Sequence, residues 1–209
     1  MNAKFFRSMQ VGCVVILAAA QASAKPAPTV VAGQSMGRVR LGFTRAQVIK
    51  VLGKPTKTFK LKGGYTDDLW RAKNVGTDRN GEPLRHKLEV IYKAGRVVQV
   101  EATSPVFVTS SGTSTRSTLS YLTDKHPTFR VLDYGYSDKD GGGWHNYYFV
   151  DVRKGISYEY EGWQEDLYRR SMPSTIIIHK PGTRVLPDAG GELVTDSTDL
   201  SVVMRNDDE

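Results

Sequence analysis

The sequence predicts an α+β fold: a tandem repeat of a short helix plus antiparallel hairpins, with the helices packed on one face of an antiparallel sheet. Two observations indicate the repeat. Residues 44–52 are echoed by residues 115–123, and residues 88–100 line up with residues 148–160. Because a duplicated unit of this kind extends one sheet, we expect a broad binding surface and no reactive cleft.

An export signal is predicted for residues 1–24. Lys4 and Arg7 precede a short apolar run, and Ala22-Ser23-Ala24 forms a small-x-small cleavage site. That run is well short of the ~20 residues that span a bilayer, so we expect no stable membrane anchor and a periplasmic or secreted protein. Cleavage would remove Cys13, the one cysteine of the chain, which excludes disulfides and cysteine-bound metals.

The charge of the chain is positive but dispersed. The formal net charge is +7, and no nucleic-acid recognition motif is present, so we expect no nucleic-acid partner. The alternating lysines of residues 57–62 are typical of the solvent-facing side of an edge strand, where they discourage aggregation.

The first repeat is predicted over residues 36–108, after a proline-containing linker at 25–35. Thr44 with Gln47 three positions later forms a helix-starting capping box, and Gly53 ends the helix. Period-two alternation then predicts strands, separated by a polar loop at 74–85. Residues 88–100 form the clearest predicted hairpin.

The second repeat is predicted over residues 109–180. We expect a helix at about 115–125, a hairpin turning at 153–155, and a further strand at Ile176-Ile177-Ile178. Residues 181–209 are expected to form a polar C-terminal tail, with a late edge strand at 200–204.

The segment Leu41-Gly42-Phe43-Thr44 through Leu52-Gly53-Lys54-Pro55 resembles the opening of two known families. These are the β-lactamase-inhibitor proteins and the small outer-membrane assembly lipoproteins. The resemblance implies helices on one long antiparallel sheet whose open concave face grips a protein. The chain departs from both families, since its expected mature form has neither the disulfides of the first nor the lipidated cysteine of the second.

The residue patterns predict no catalytic residues, no metal site and no cofactor. The histidines form no helical i, i+4 pair and no zinc motif, and no Gly-x-Ser-x-Gly elbow occurs. His126 is expected at a helix end, where a cation complements the dipole. Asp138 and Asp140 lack the terminal glutamate of a calcium loop.

Alternation predicts which side of the sheet binds a partner. Aligning the two hairpins turns Tyr148 and Tyr158 toward the helices and turns Tyr147 and Phe149 toward the opposite, exposed face. Tyrosine and phenylalanine beside charges on an exposed face are typical of a recognition surface. The candidate binding residues are Tyr147, Phe149, Asp151, Glu159, Ile91 and Lys93.

The predicted function is that of an exported, non-catalytic module that docks a protein or an envelope component on this face. If the C-terminal segment folds back over the face, its aromatic residues form a second core instead. Two alternatives stay open: a hydrolase using His145 with Asp138 or Asp151, and a purely structural envelope protein. Oligomeric state is not predicted.

Overall fold

The computed structural model describes residues 29–72, 86–137, 143–162, 167–186 and 192–199. The expected signal peptide, the loop at 74–85, the turn that begins at Asp138 and the late strand at 200–204 lie outside these residues.

Twelve strands, two α-helices and one short 3₁₀ helix (Lys62–Gly64) form from the described residues. The α-helices are α1 (Arg45–Leu52) and α2 (Leu119–Lys125). The strands are β1 (Val30–Val31), β2 (Ser35–Met36), β3 (Val39–Arg40), β4 (Lys57–Leu61), β5 (Tyr65–Arg71), β6 (Lys87–Lys93), β7 (Arg96–Ala102), β8 (Arg130–Ser137), β9 (Gly143–Asp151), β10 (Ile156–Gly162), β11 (Thr175–His179) and β12 (Glu192–Ser197).

The strands form two antiparallel sheets. One sheet has three strands in the order β1-β2-β3, and the other has nine in the order β12-β8-β9-β10-β11-β7-β6-β5-β4. β11 lies between β10 and β7, and it therefore joins the earlier strands to the later ones.

The predicted fold class, an α+β tandem repeat of helix and hairpins, is wrong. The protein is mostly β, and its helices have eight and seven residues. At about 1.5 Å per residue, such a helix is about 12 Å long. Nine strands at ~4.8 Å spacing extend for about 38 Å, which two short helices cannot cover. The small sheet covers part of this face instead, through Val30, Met36 and Val39.

Local signals placed α1 correctly. The Thr44 side chain accepts a hydrogen bond from the backbone N–H of Gln47, and the Gln47 side chain accepts one from the backbone N–H of Thr44. Gly53 ends the helix at φ +82°, a left-handed conformation that favours glycine. α2 begins later than predicted, with Thr118 as its N-cap.

An ion pair fixes α1 to the edge of the large sheet. Arg45 donates from Nε and Nη2 to the two carboxylate oxygens of Asp68, at 2.7 and 2.9 Å. Thr58 of β4 donates to the same carboxylate at 2.6 Å. Asp68 is fully buried, so these bonds satisfy a charge that would otherwise be costly inside the protein.

The two main hairpins differ in turn and register. In the β6–β7 hairpin the turn has two residues and a bulge shifts the pairing, so Tyr92 lies opposite Val97. In the β9–β10 hairpin four residues separate Asp151 from Ile156, and Phe149 lies opposite Tyr158. The sequence alignment had placed Tyr148 on the side of Tyr158. A shift of one residue moves every side chain of a strand to the other face.

Each face of the large sheet carries a hydrophobic core. The main core lies on the side of the helices, where Val48 of α1 and Leu119 and Leu122 of α2 are buried. The second core lies on the opposite side and includes Leu132, Tyr134, Tyr136, Tyr148, Val150, Ile177 and Val185. Val185 comes from the expected polar tail, and β12 from the same segment pairs with β8.

Candidate functional site

The aromatic pair proposed for partner binding is buried in the main core. Tyr147 is 6% exposed and Phe149 is fully buried. Phe149 contacts Phe129 and Tyr160 edge to face, with ring centroids 6.1 and 5.1 Å apart. Their predicted exposure is wrong because the β9–β10 turn sets a register one residue away from the expected one.

The candidate carboxylates are also buried. Asp151 Oδ2 lies 3.3 Å from His126 Nδ1 and 3.6 Å from Lys154 Nζ. Glu159 lies on the other face of the sheet, where Tyr148 Oη and Asn146 Nδ2 donate to Glu159 Oε1 at 2.8 and 3.1 Å. Asp151 and Glu159 therefore hold the interior of the protein together on opposite sides of the sheet.

Ile91 and Lys93 complete the predicted set. Ile91 is buried, at 7% exposed, on the side away from the helices. Lys93 is exposed at the end of β6 and donates to Tyr65 Oη at 3.1 Å. The structure does not bring the six predicted residues together on one open surface.

His145 has a carboxylate partner, although not a predicted one. Its Nδ1 lies 2.7 Å from Asp133 Oδ1, on the neighbouring strand β8. Its ring stacks on Tyr147 with centroids 5.8 Å apart. A carboxylate at Nδ1 is the arrangement that orients a general base.

A serine–histidine contact lies inside the protein. Ser157 Oγ is 2.9 Å from His179 Nε2, and His179 Nδ1 is 3.2 Å from the carbonyl oxygen of Lys180. The imidazole therefore donates from Nδ1 and accepts from Ser157 at Nε2. Burial lowers the pKa of His179, which keeps it neutral. Ser157 is fully buried, so the pair has a structural role.

An open, mainly apolar pocket lies where α1, β5, β6 and the loop after β7 meet. We name it the apolar pocket; it encloses about 630 Å³. This volume is within the ~300–1,000 Å³ typical of ligand sites. Its apolar walls are Leu52, Trp70, Leu88, Pro105, Val106 and Phe107.

Local hydrogen bonds hold these walls in place. Trp70 Nε1 donates to the carbonyl oxygen of Gly53 at 3.2 Å, which fixes the indole against the end of α1. Lys87 and Thr103 exchange two hydrogen bonds, from Lys87 N to Thr103 Oγ1 at 2.9 Å and from Thr103 N to Lys87 O at 3.1 Å. Val106 stands at the opening and is 66% exposed.

Cationic side chains surround the opening of the apolar pocket. Arg71 and Arg116 line it and are exposed. In the described part of the chain neither arginine forms an ion pair. Lys87 also lines the pocket, but its Nζ forms an ion pair with Glu89 Oε2 at 3.2 Å. The pocket thus combines an apolar interior with two arginines at its opening that are available to bind an acidic group.

Sequence reasoning missed the apolar pocket. Leu52 and Leu88 have the spacing of ordinary core positions, and Val106 lies in a segment without periodicity. The one available signal was Pro105-Val106-Phe107, an apolar run in a loop.

The described residues contain neither a metal-binding cluster nor a membrane-spanning helix. Within those ranges no cluster of three or more His, Cys, Asp or Glu side chains is placed to hold a metal ion. In the same residues, no helix has both the length and the apolar character needed to cross a membrane.

Comparisons with known proteins identify no family. No protein-family model matches the chain, and no curated protein matches it. Among solved structures, it is similar to a cysteine-rich secretory protein from Staphylococcus aureus, with a TM-score of 0.39 and 15% identity. The match covers 74% of this chain and 47% of that structure, so the chain spans about half of its length.

Proposed function

We propose that the protein is an exported binding module, without catalysis of its own, that takes an acidic amphiphile in the apolar pocket. The ligand is an envelope component with an aliphatic chain and an acidic head group. The observation that carries the proposal is the apolar pocket itself, with Arg71 and Arg116 at its opening.

The apolar walls and the arginines at the opening contribute differently to binding. Each methylene group buried against Leu52, Trp70 and Leu88 contributes about 0.8 kcal/mol, so the aliphatic chain supplies most of the affinity. Exposed arginines contribute less, because solvent screens them, but they select an acid over a neutral head group.

Calorimetric titration with dodecanoate, below its micelle concentration, tests the proposal. Val106→Asp places a carboxylate at the opening, where it repels the acidic head and is incompatible with the aliphatic chain; we expect at least about tenfold weaker binding. The double variant Arg71→Gln/Arg116→Gln is expected to lose the preference for dodecanoate over dodecanol. Arg169→Gln, exposed and outside the pocket, is the matched control.

The result that contradicts the proposal is equally definite. Binding of dodecanoate that Val106→Asp leaves unchanged places the ligand elsewhere. Absence of binding to the unaltered protein favours the purely structural role.

A hydrolase is the second candidate, and the 2.7 Å contact between His145 and Asp133 favours it. In that function His145 would act as the general base, oriented by Asp133. Hydrolysis of p-nitrophenyl butyrate that is lost in His145→Gln supports this candidate. Equal background rates for the variant and the unaltered protein remove it.

A further inference from the structure

A second, smaller pocket lies on the face of the large sheet away from the helices. We name it the basic pocket; it encloses about 210 Å³. β5, β6 and β7 form one side, and the chain that leaves β11 forms the other. Its lining residues are Tyr65, Lys93, Val98, Gln99, His179, Lys180, Thr183, Arg184 and Leu186.

The segment after β11, which forms one wall of the basic pocket, is hydrogen-bonded to the sheet. Gln99 Oε1 accepts from the backbone N–H of Leu186 at 2.8 Å, and Gln99 Nε2 donates to the Leu186 carbonyl oxygen at 2.9 Å. Gln99 is 1% exposed, so both bonds are shielded from water. Thr183 closes a turn by donating from N and Oγ1 to the Lys180 carbonyl oxygen, at 3.1 and 2.6 Å. The pocket is therefore preformed.

Three cations line the basic pocket. Arg184 is paired with Asp196. Lys93 and Lys180 form no ion pair with any residue that the structure describes. No aspartate or glutamate is among the lining residues of the basic pocket, although Glu101 Oε1 accepts from the lining Gln99 Nε2 at 2.6 Å. Lys93 and Lys180 therefore line the cavity without a carboxylate on the lining itself.

His179 does not add a third free charge. Its ring nitrogens are both engaged, and burial lowers its pKa. Tyr65 Oη accepts from Lys93 Nζ at 3.1 Å and keeps its own proton, so this hydroxyl on the lining is placed to donate to an oxyanion.

We propose that the basic pocket binds a phosphate monoester. Such a group carries a charge of about −1.5 to −2 at pH 7, which matches the two ammonium groups of Lys93 and Lys180, whereas a carboxylate carries one charge. The volume equals that of about seven waters at ~30 Å³ each, which accommodates a phosphate on a small carrier such as glycerol.

Calorimetry with sn-glycerol 3-phosphate tests this site. We expect saturable binding that weakens at least about tenfold in Lys93→Gln/Lys180→Gln. The control is Lys57→Gln, an exposed lysine on β4 that is not part of the pocket, and its affinity should stay within about twofold of the unaltered protein. The melting temperature of each variant verifies that the fold is retained. Acetate, a carboxylate with a single negative charge, should bind at least about tenfold more weakly.

Phosphate monoesters occur as free metabolites and as lipid head groups, and one further arm separates these sources. Sedimentation with phosphatidylcholine vesicles containing phosphatidic acid, abolished in the double variant, assigns the head group; binding of glycerol phosphate without sedimentation assigns the free metabolite. Failure of glycerol phosphate and vesicles alike overturns the proposal, as does equal binding by the double variant or by acetate. Dodecanoate binding to the apolar pocket is independent of each of these results.

Discussion

His126 is a buried titratable residue at the end of α2. Its ring stacks on Phe129 at 4.9 Å and meets Tyr158 edge-on at 5.8 Å. Burial lowers its pKa, and this effect outweighs the opposing effect of Asp151. The sequence suggested a cation that complements the helix dipole, whereas the structure favours a neutral imidazole near pH 7.

We predict that the protein loses stability as the pH falls from 7 to 5. The pKa values of His126 and His179 are lowered in the folded state, so below about pH 6.5 the unfolded chain binds protons that the folded protein does not. Stability is therefore complete above that pH and declines below it, by up to about 1.4 kcal/mol per pH unit for each histidine.

Urea unfolding of the protein and of His126→Asn, each at pH 7 and pH 5, measures this effect. The asparagine amide can donate to Asp151 but does not titrate. The free energy of unfolding should change less with pH in the variant. An equal change in both proteins would show that His126 carries no proton linkage.

At the scale of elements, the turn between β9 and β10 sets the register of the second hairpin. Gly155 has φ +69° and packs against neighbouring backbone: an added Cβ would lie 2.9 Å from Gly33 Cα and 2.9 Å from Pro181 N, with the His179 carbonyl oxygen closer still. Gly95 occupies the corresponding place in the first hairpin, at φ +72°, and a Cβ there meets nothing within 4 Å.

We predict unequal costs for alanine at these two turns. Gly95→Ala should lower the free energy of unfolding by about 1 kcal/mol, which is the cost of a left-handed conformation. Gly155→Ala should lower it by about 3 kcal/mol or more, since overpacking adds to that conformational cost. Chemical denaturation of both variants measures the difference. Similar decreases in the free energy of unfolding for the two variants would mean that the backbone around Gly155 shifts to accommodate the added Cβ at little cost.

The sequence predicted where helices and strands lie better than it predicted which side of the sheet each side chain occupies. The capping box of Thr44 and Gln47 lies within one turn of helix, so local chemistry identifies it. The face of Phe149 depends on how many residues close a turn, and the sequence alone did not show that Val152 belongs to the turn. The apolar pocket depends on Leu52, Leu88 and Val106 meeting from distant segments, and no local signal reports such a meeting.

At the scale of the whole molecule, the chain after β11 completes the second face of the sheet. Gln99 pins Leu186, and Val185 enters the second core at 2% exposed. Residues 181–186 and 192–199, the described part of the expected polar tail, therefore belong to the folded structure.

We predict that Val185→Ala lowers the free energy of unfolding by about 2 kcal/mol, because it leaves a cavity between Leu132 and its neighbours. Val106→Ala, at an exposed position, should change it by less than about 0.5 kcal/mol. Thermal and urea unfolding provide the measurement. Dodecanoate binding should respond in the reverse order, weaker in Val106→Ala and unchanged in Val185→Ala. A neutral Val185→Ala would show that the second core tolerates the loss of this contact.

The place of β11 has a consequence for biogenesis. One edge of β7 pairs with β6, and its other edge pairs with β11. β11 is translated only after β8, β9 and β10, so this second edge stays unpaired until then. A partly synthesised chain would thus expose unpaired amide and carbonyl groups along β7, and such an edge can form β-sheet hydrogen bonds with another molecule. Chaperone occupancy that ends once β11 has emerged would be the cellular signature of this topology.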